Sequence, residues 1–181
     1  REMSPALCDA LLGTSNAARV LRDLADANLF TEPLDSEGAW YRYHDLFREF
    51  LVAKFERDDP EGYRALRLRQ AGLMAHRGDW ATAIASYVEA GAWEQAAEAL
   101  AVIAYASFTR GEWDQLKGWI DALPQDVLGR YPTLMLFRAK VHTEAGELDP
   151  SLDLLARCRA ACAERQDAVG EARALTQVAV V

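Results

Sequence analysis

Cysteine is scarce in this sequence, with three in 181 residues. Three thiols cannot close into a complete disulfide set, so a reducing, cytoplasmic setting is expected. Long apolar runs are also missing. The longest, from about Ala99 to Phe108, is far short of the ~20 residues that a helix needs to cross a bilayer. No basic, apolar, small-residue signal pattern opens the chain, so no membrane partner is expected. Positive charge is short as well. The formal charge is −8, with seven Lys/Arg against twelve Asp/Glu through residue 59 and thirteen against sixteen beyond it. Neither part has the basic footprint of a nucleic-acid binder. No P-loop pattern GxxxxGK[ST] occurs, so this chain alone is not expected to bind or hydrolyse ATP. No Ser/His/Asp or paired-carboxylate pattern rises above background, which leaves no catalytic residues and no enzyme. Cys158 and Cys162 share a helical face, but no further Cys or His falls at ligand spacing. They read as buried small side chains rather than a metal site. His76 and His142 read as ordinary helix residues without partners.

The elements that are present begin with a short helix from Ser4 to Leu12, with Ser4 as cap, Pro5 at the first position and Gly13 as stop. Thr14-Ser15-Asn16 offers a second cap, and Val20, Leu21, Leu24, Ala27 and Leu29 follow at helical spacing. Phe30 to Leu34 and Ala39 to Tyr43 flank the polar turn Asp35-Ser36-Glu37-Gly38, the signature of a β-hairpin. Leu46, Phe47, Phe50, Leu51 and Phe55 then mark an amphipathic helix, with Tyr41, Tyr43, Phe47 and Phe50 expected as a small core under the hairpin. Helix, helix, hairpin, helix is the order of a winged-helix-like unit. Asp58-Asp59-Pro60 breaks the pattern and sets the expected boundary, giving a winged-helix-like domain over 1–59 and a helical segment over 60–181.

Beyond Glu61 the sequence repeats. Gly78-Asp79-Trp80, Gly111-Glu112-Trp113 and Gly146-Glu147-Leu148 stand 33 and then 35 residues apart. Nine residues after each Gly come Tyr87, Ile120 and Leu155; twelve after come Ala90, Leu123 and Cys158. A period near 34 with Gly and an acid at the turn resembles the tetratricopeptide repeat. Trp80, Trp93 and Trp113 occupy equivalent turn positions, so they and Trp119 read as repeat packing rather than as a stacking platform for a ligand. The predicted fold class is therefore mainly α: a winged-helix-like unit with one hairpin, then a tetratricopeptide-like superhelix. The chain opens at Arg1 and closes on Val178-Ala179-Val180-Val181 within an apolar helical pattern. An excised piece of a larger protein, truncated at its C-terminus, is expected.

LFTEPLDSEGAWYRYHDLFREFL followed by LRLRQAGLMAHRGDWATAIASYVEAGAWEQAAEAL resembles the large LuxR-type, ATP-dependent transcription activators, the maltose-regulon-activator-like signal-transduction ATPases. RGEWDQLKGWIDALPQDVLGRYPTLMLFRAKVHTEAGELDPSLDLL extends the resemblance over essentially the whole chain. The chain departs from that pattern at Leu66-Arg67, where relatives often have Leu-His, and near Leu73, where they have Trp. The resemblance implies a nucleotide-binding domain before the winged helix, a repeat sensor after it and a DNA-reading helix-turn-helix beyond. Cofactors would be none in this fragment and ATP or ADP in the full-length protein. Partners would be the protein's own ATPase domain, absent here, and a small-molecule inducer or regulatory protein on the repeats. The alternative is a tetratricopeptide-type interaction scaffold without nucleotide control.

The sharpest candidate is His44. Tyr43-His44-Asp45-Leu46 is similar to the Met-His-Asp signature of the wider ATPase class, whose histidine contacts the β-phosphate of ADP. An imidazole N–H beside a helix N-terminus suits a phosphate. The competing reading has Asp45 cap the helix and His44 bond locally. Arg42 alternates onto the same strand face and is expected to pair with an acid instead. Direct DNA binding by this piece is not expected: Arg19 and Arg22 share their helix with Asp23 and Asp26, and the wing carries Glu32, Asp35 and Glu37, a surface that repels phosphate.

Overall fold

The computed structural model describes residues 2–181, and the chain divides into two compact units, Arg1–Leu73 and Met74–Val181. In the first, α1 spans Pro5–Leu12. The Ser4 hydroxyl accepts from the Leu7 N–H at 3.2 Å, Pro5 opens the helix, and Gly13 closes it in the left-handed region at φ 68°. Helix α2, Ala17–Asp26, is capped from a distance. Asn16 holds the cap position without a side-chain bond, and the Asp9 carboxylate accepts instead from the Ala17 N–H at 3.1 Å and the Thr14 hydroxyl at 2.8 Å.

Strands β1, Thr31–Pro33, and β2, Tyr41–Tyr43, pair antiparallel with Glu32 opposite Arg42. Met3 bridges the far side of β2, exchanging both backbone bonds with Tyr41 at 2.8 and 2.9 Å. Tyr41 is therefore paired on both edges and only 3% exposed. In the hairpin turn the Asp35 carboxylate accepts from the N–H groups of Ala39 at 2.9 Å and Glu37 at 3.0 Å. Those donors, the Ala39 N–H first, hold its pKa below the ordinary carboxylate value. Helix α3, Asp45–Asp58, and helix α4, Pro60–His76, follow. Asp59 separates them and caps α4, its carboxylate accepting from the Gly62 N–H at 2.9 Å. The break expected at residue 59 is thus the α3–α4 junction, whereas the division into units falls inside α4. Phe55 and Tyr63 meet edge to face across the junction, and Arg69 donates to the Leu11 carbonyl at 2.9 Å, tying α4 to α1.

The second unit is a run of helices: α5 Trp80–Glu89, α6 Trp93–Thr109, α7 Trp113–Asp121, the short α8 Gln125–Leu128, α9 Pro132–Glu144, α10 Leu148–Glu164 and α11 Ala168–Val178. One turn recurs. The N–H groups of Asp79, Ala92, Glu112, Glu147 and Asp167 each reach back five residues to a carbonyl of the preceding helix, at 2.9 to 3.0 Å. The residue before each has positive φ: Gly78, Gly91, Gly111, Gly146 and, in the fifth turn, Gln166 at 58°. This is the Schellman ending, and it takes Gly where the chain supplies it. Because the residue after the left-handed one is already the N-cap of the next helix, each connection is as short as a helical hairpin allows.

The periodic positions point inward as their spacing requires. Ile120 and Leu155, nine residues after a turn glycine, are fully buried, as are Ala90, Leu123 and Cys158, twelve after, to within a few per cent. Tyr87 is half-buried against the same core. Where the first hairpin turns at Gly91, thirteen residues after Gly78, the second has Pro124, thirteen after Gly111. Proline ends α7 there, and α8 is the result. The architecture is thus a winged helix followed by helical repeats.

Candidate functional site: the His44 junction

Three pieces of backbone converge on His44. Its N–H donates to the Phe30 carbonyl at 2.9 Å, extending the hairpin ladder one residue past β2. Its backbone is extended, at φ −56° and ψ 134°, and its carbonyl accepts from the Arg48 N–H at 2.9 Å, the first bond of α3. His44 is therefore the N-cap residue of α3. The expectation that Asp45 caps this helix is corrected: Asp45 is already the first helical residue, and neither it nor His44 makes a side-chain cap bond. The reason is register. The hairpin bond to Phe30 keeps residue 44 extended, so the helix begins one residue later.

Among the described residues, the His44 imidazole is exposed and makes no hydrogen bond or ion pair. The first N–H groups of α3 are left without a side-chain partner. For an approaching anion, Asp45 and the helix dipole offset each other in part. Arg42 does not share the site. It reaches across the hairpin to Glu32, with Nη2 3.3 Å from the carboxylate.

Rings surround the junction. Phe30 stacks on Phe47 at 4.7 Å, Tyr43 meets Phe47 edge to face at 5.8 Å, and Phe47 contacts Phe50 at 6.5 Å. Phe30 holds a left-handed backbone at φ 52°, uncommon for an aromatic residue and costing on the order of 1 kcal/mol. That conformation places its carbonyl on the His44 N–H. The rings are not the closed core that the spacing suggested. Only Tyr41 is buried; Tyr43 and Phe47 are half-covered, and Phe50 and Leu46 are 58% and 72% exposed. Helix α3 buries none of its side chains fully.

Elsewhere one expectation is corrected and another given a setting. His142 has a partner: Nδ1 meets the Glu147 carboxylate. That contact, ahead of the charges of Lys117 and Arg138, holds Glu147 below the ordinary carboxylate value. Periodicity missed the pair because the two residues sit on either side of a turn, five apart. Cys158 and Cys162 are buried, and the Cys158 Sγ donates to the Pro132 carbonyl at 3.2 Å. Burial, then the neighbouring Cys162, pushes the Cys158 thiol up to about 12, which leaves it protonated and inert at neutral pH. Among the described residues no cluster of three or more His, Cys, Asp or Glu could hold a metal ion, and no helix is long and apolar enough to cross a membrane.

Residues 1–63 match the family model described as the MalT winged helix domain. Over these residues the chain is similar to that winged helix. Beyond the winged helix, the likeness to MalT runs on into the repeats. The HTH-type transcriptional regulator MalT of Vibrio cholerae is 29% identical over 134 residues, 74% of this chain and 15% of that protein. MalT of Yersinia enterocolitica is 29% identical over 177 residues, 94% of this chain and 19% of that protein. MalT of Klebsiella pneumoniae is 27% identical over 139 residues, 77% of this chain and 15% of that protein. The chain thus spans less than a fifth of the length of these MalT relatives.

Proposed function

We propose that this chain is the regulatory segment of an ATP-dependent transcription activator. Its winged helix holds an ADP-bound ATPase domain closed, and its helical repeats receive a small-molecule inducer or a regulatory protein. The observation that carries this reading is the free, exposed His44 imidazole at the open N-terminus of α3, set in a MalT-type winged helix and ringed by exposed aromatics. An imidazole N–H donating to a phosphate makes a charge-assisted bond, and the helix N-terminus adds to it. The apolar rim of Phe30, Leu46 and Phe50 is what a domain interface needs around such a polar centre. The role is cytoplasmic sensing and switching rather than catalysis. An inducer that binds the open state more tightly shifts the equilibrium away from the ADP-locked one.

His44→Ala in the full-length protein tests this. Losing a hydrogen bond to a charged group costs about 1.5–3 kcal/mol, or roughly 10- to 100-fold in affinity. ADP affinity should fall by that factor, and activity without inducer should rise. Unchanged ADP affinity together with unchanged basal activity would remove His44 from the mechanism and leave the repeat unit as a protein-interaction scaffold without nucleotide control.

A further inference from the structure

We infer that the open cavity lined by α6, α9, α10 and α11 is a binding site for a small organic anion with a flat apolar body. It deepens the sensing role proposed above by giving the repeats a ligand class, and it depends on that role only for its regulatory consequence.

The cavity measures about 890 Å³, within the range of pockets that hold small molecules. One wall is apolar and aromatic: Leu136, Phe137 and Tyr105, whose ring meets Phe137 edge to face at 6.5 Å. Two cations line it, Lys140 and Arg173. The Lys140 ammonium lies 5.6 Å from the ring centre of Phe108 and 5.7 Å from that of Phe137. Among the described residues neither Lys140 nor Arg173 forms an ion pair with a carboxylate. The first turns of α9, at Pro132 and Thr133, and of α11, at Ala168 to Gly170, also line the cavity and contribute the positive ends of two helices. A single carboxylate lines it, Asp167, and one of its oxygens is already engaged by the Gly170 N–H at 2.9 Å.

A chain carrying −8 overall thus keeps two unpaired cations and one uncapped helix N-terminus, that of α9, around one aromatic-walled cavity, the N-terminus of α11 being capped by Asp167. The contrast with a second cavity of this unit is informative. That one, about 430 Å³ beside Trp80 and Trp119, contains Arg110, but Glu112 grips its guanidinium with bonds of 2.7 and 2.8 Å. Its charge is spent internally. In the larger cavity the charge is left for a guest: the anionic group meets Lys140 and Arg173, and the flat body lies along Tyr105 and Phe137.

Two dyes of nearly the same shape test this on the chain: 8-anilinonaphthalene-1-sulfonate and the neutral N-phenyl-1-naphthylamine, titrated by fluorescence. The sulfonate should bind at one site at least about tenfold more tightly than the neutral dye, the worth of one good charge pair. Lys140→Met with Arg173→Met should erase that preference, and Lys140→Arg, which keeps both charge and fold, should retain it. Thr133→Trp, an exposed rim position, should obstruct the mouth of the cavity and weaken binding of both dyes there. Equal affinity for the two dyes overturns the proposal, as does a preference that survives the double substitution. Sulfonate binding untouched by Thr133→Trp also overturns it, because the dye then sits elsewhere, such as on the exposed rings around His44. Binding of an acidic aromatic peptide in place of the sulfonate would assign the cavity to a polypeptide and overturn the small-molecule reading. None of these outcomes bears on the ADP affinity of the His44→Ala protein, so the two readings fail separately.

Discussion

The two units of this chain contain comparable proportions of apolar side chain and spend them differently. Both leave large apolar side chains exposed, among them Val102, Tyr105, Leu148, Val169 and Val180 of the repeats, but the repeats also close a large core. Ile84, Leu100, Leu116, Ile120, Leu134, Met135 and Leu155 are fully buried in one continuous core that runs through successive hairpins. The winged helix buries fully only a few residues, among them Ala17, Leu21 and Tyr41, while Leu12, Val20, Leu29, Phe30, Leu34, Trp40, Leu46 and Phe50 face outward. Stacked hairpins need only their neighbours to close a core. The winged helix closes no core of comparable size, and its exposed Phe30, Leu46 and Phe50 are the apolar rim that the proposed switch needs. The difference is one of core size: a large closed core in the repeats and a small one in the winged helix.

Core truncation is the strongest way to break that comparison. Leu155→Ala removes a fully buried side chain and should cost about 3–4 kcal/mol, with the cavity it leaves adding to the lost transfer energy. Phe50→Ala, at 58% exposure, should cost well under about 1 kcal/mol in the same denaturant titration. If Phe50→Ala proved as costly as Leu155→Ala, the winged helix would have a closed core and the contrast would fail. A surviving fold with weakened ADP response in the full-length protein would instead sharpen it, because the outward rings would then matter only at an interface.

Gly38 probes the tight packing around Tyr41 in the winged helix. Its backbone is left-handed at φ 69°, and a Cβ there would stand 2.9 Å from the Tyr41 hydroxyl. Gly38→Ala should therefore cost about 1–2 kcal/mol, from the unfavourable conformation and the displaced ring together. Tyr41 is the residue paired with Met3 on one side and β1 on the other. Thermal unfolding followed at the tyrosine signal should shift down in this unit while the repeats melt as before. A loss in the repeats, or no loss at all, would show that Tyr41 does not anchor the hairpin.

Much of this was legible before any coordinates, for local reasons. Ser4-Pro5 and Gly13 bracket α1 because caps and stops act within one turn of the chain. Asp35 to Gly38 makes the hairpin for the same reason. The repeat positions at Ile120, Leu155, Leu123 and Cys158 were readable because a period fixed by helix geometry recurs. What resisted was what depends on neighbours outside the pattern. Amphipathic spacing names the apolar face of α3 but not whether anything covers it, so Phe50, expected in the core, is exposed. Asp45 looked like a cap because aspartate usually is one; the hairpin bond from His44 to Phe30 moved the start of the helix by a residue. The His142–Glu147 contact crosses a turn that periodicity does not see, and Trp113 shares a turn position with Trp80 and Trp93 yet lies largely on the surface over Phe108, its indole N–H donating to the Phe108 carbonyl at 2.9 Å.

The smallest effect tests the repeat turn itself. Four of the five Schellman turns place Gly at the left-handed position, and the fifth, between α10 and α11, places Gln166 there at φ 58°. A side chain in that region costs about 1 kcal/mol relative to glycine, and glycine gives back part of that through its greater freedom in the unfolded chain. Gln166→Gly should therefore stabilise the repeat unit by about 0.5 kcal/mol, and Gly146→Gln should destabilise it by a similar amount. Backbone hydrogen exchange would locate the gain in α11, the helix that this turn sets in place. A gain spread evenly over the unit would mean that the hairpins open together. A gain confined to α11 would mean that each hairpin is held mainly by its neighbour. If Gln166→Gly instead destabilised the unit, the side chain would be making contacts that outweigh its backbone strain, and the fifth turn would not be equivalent to the other four.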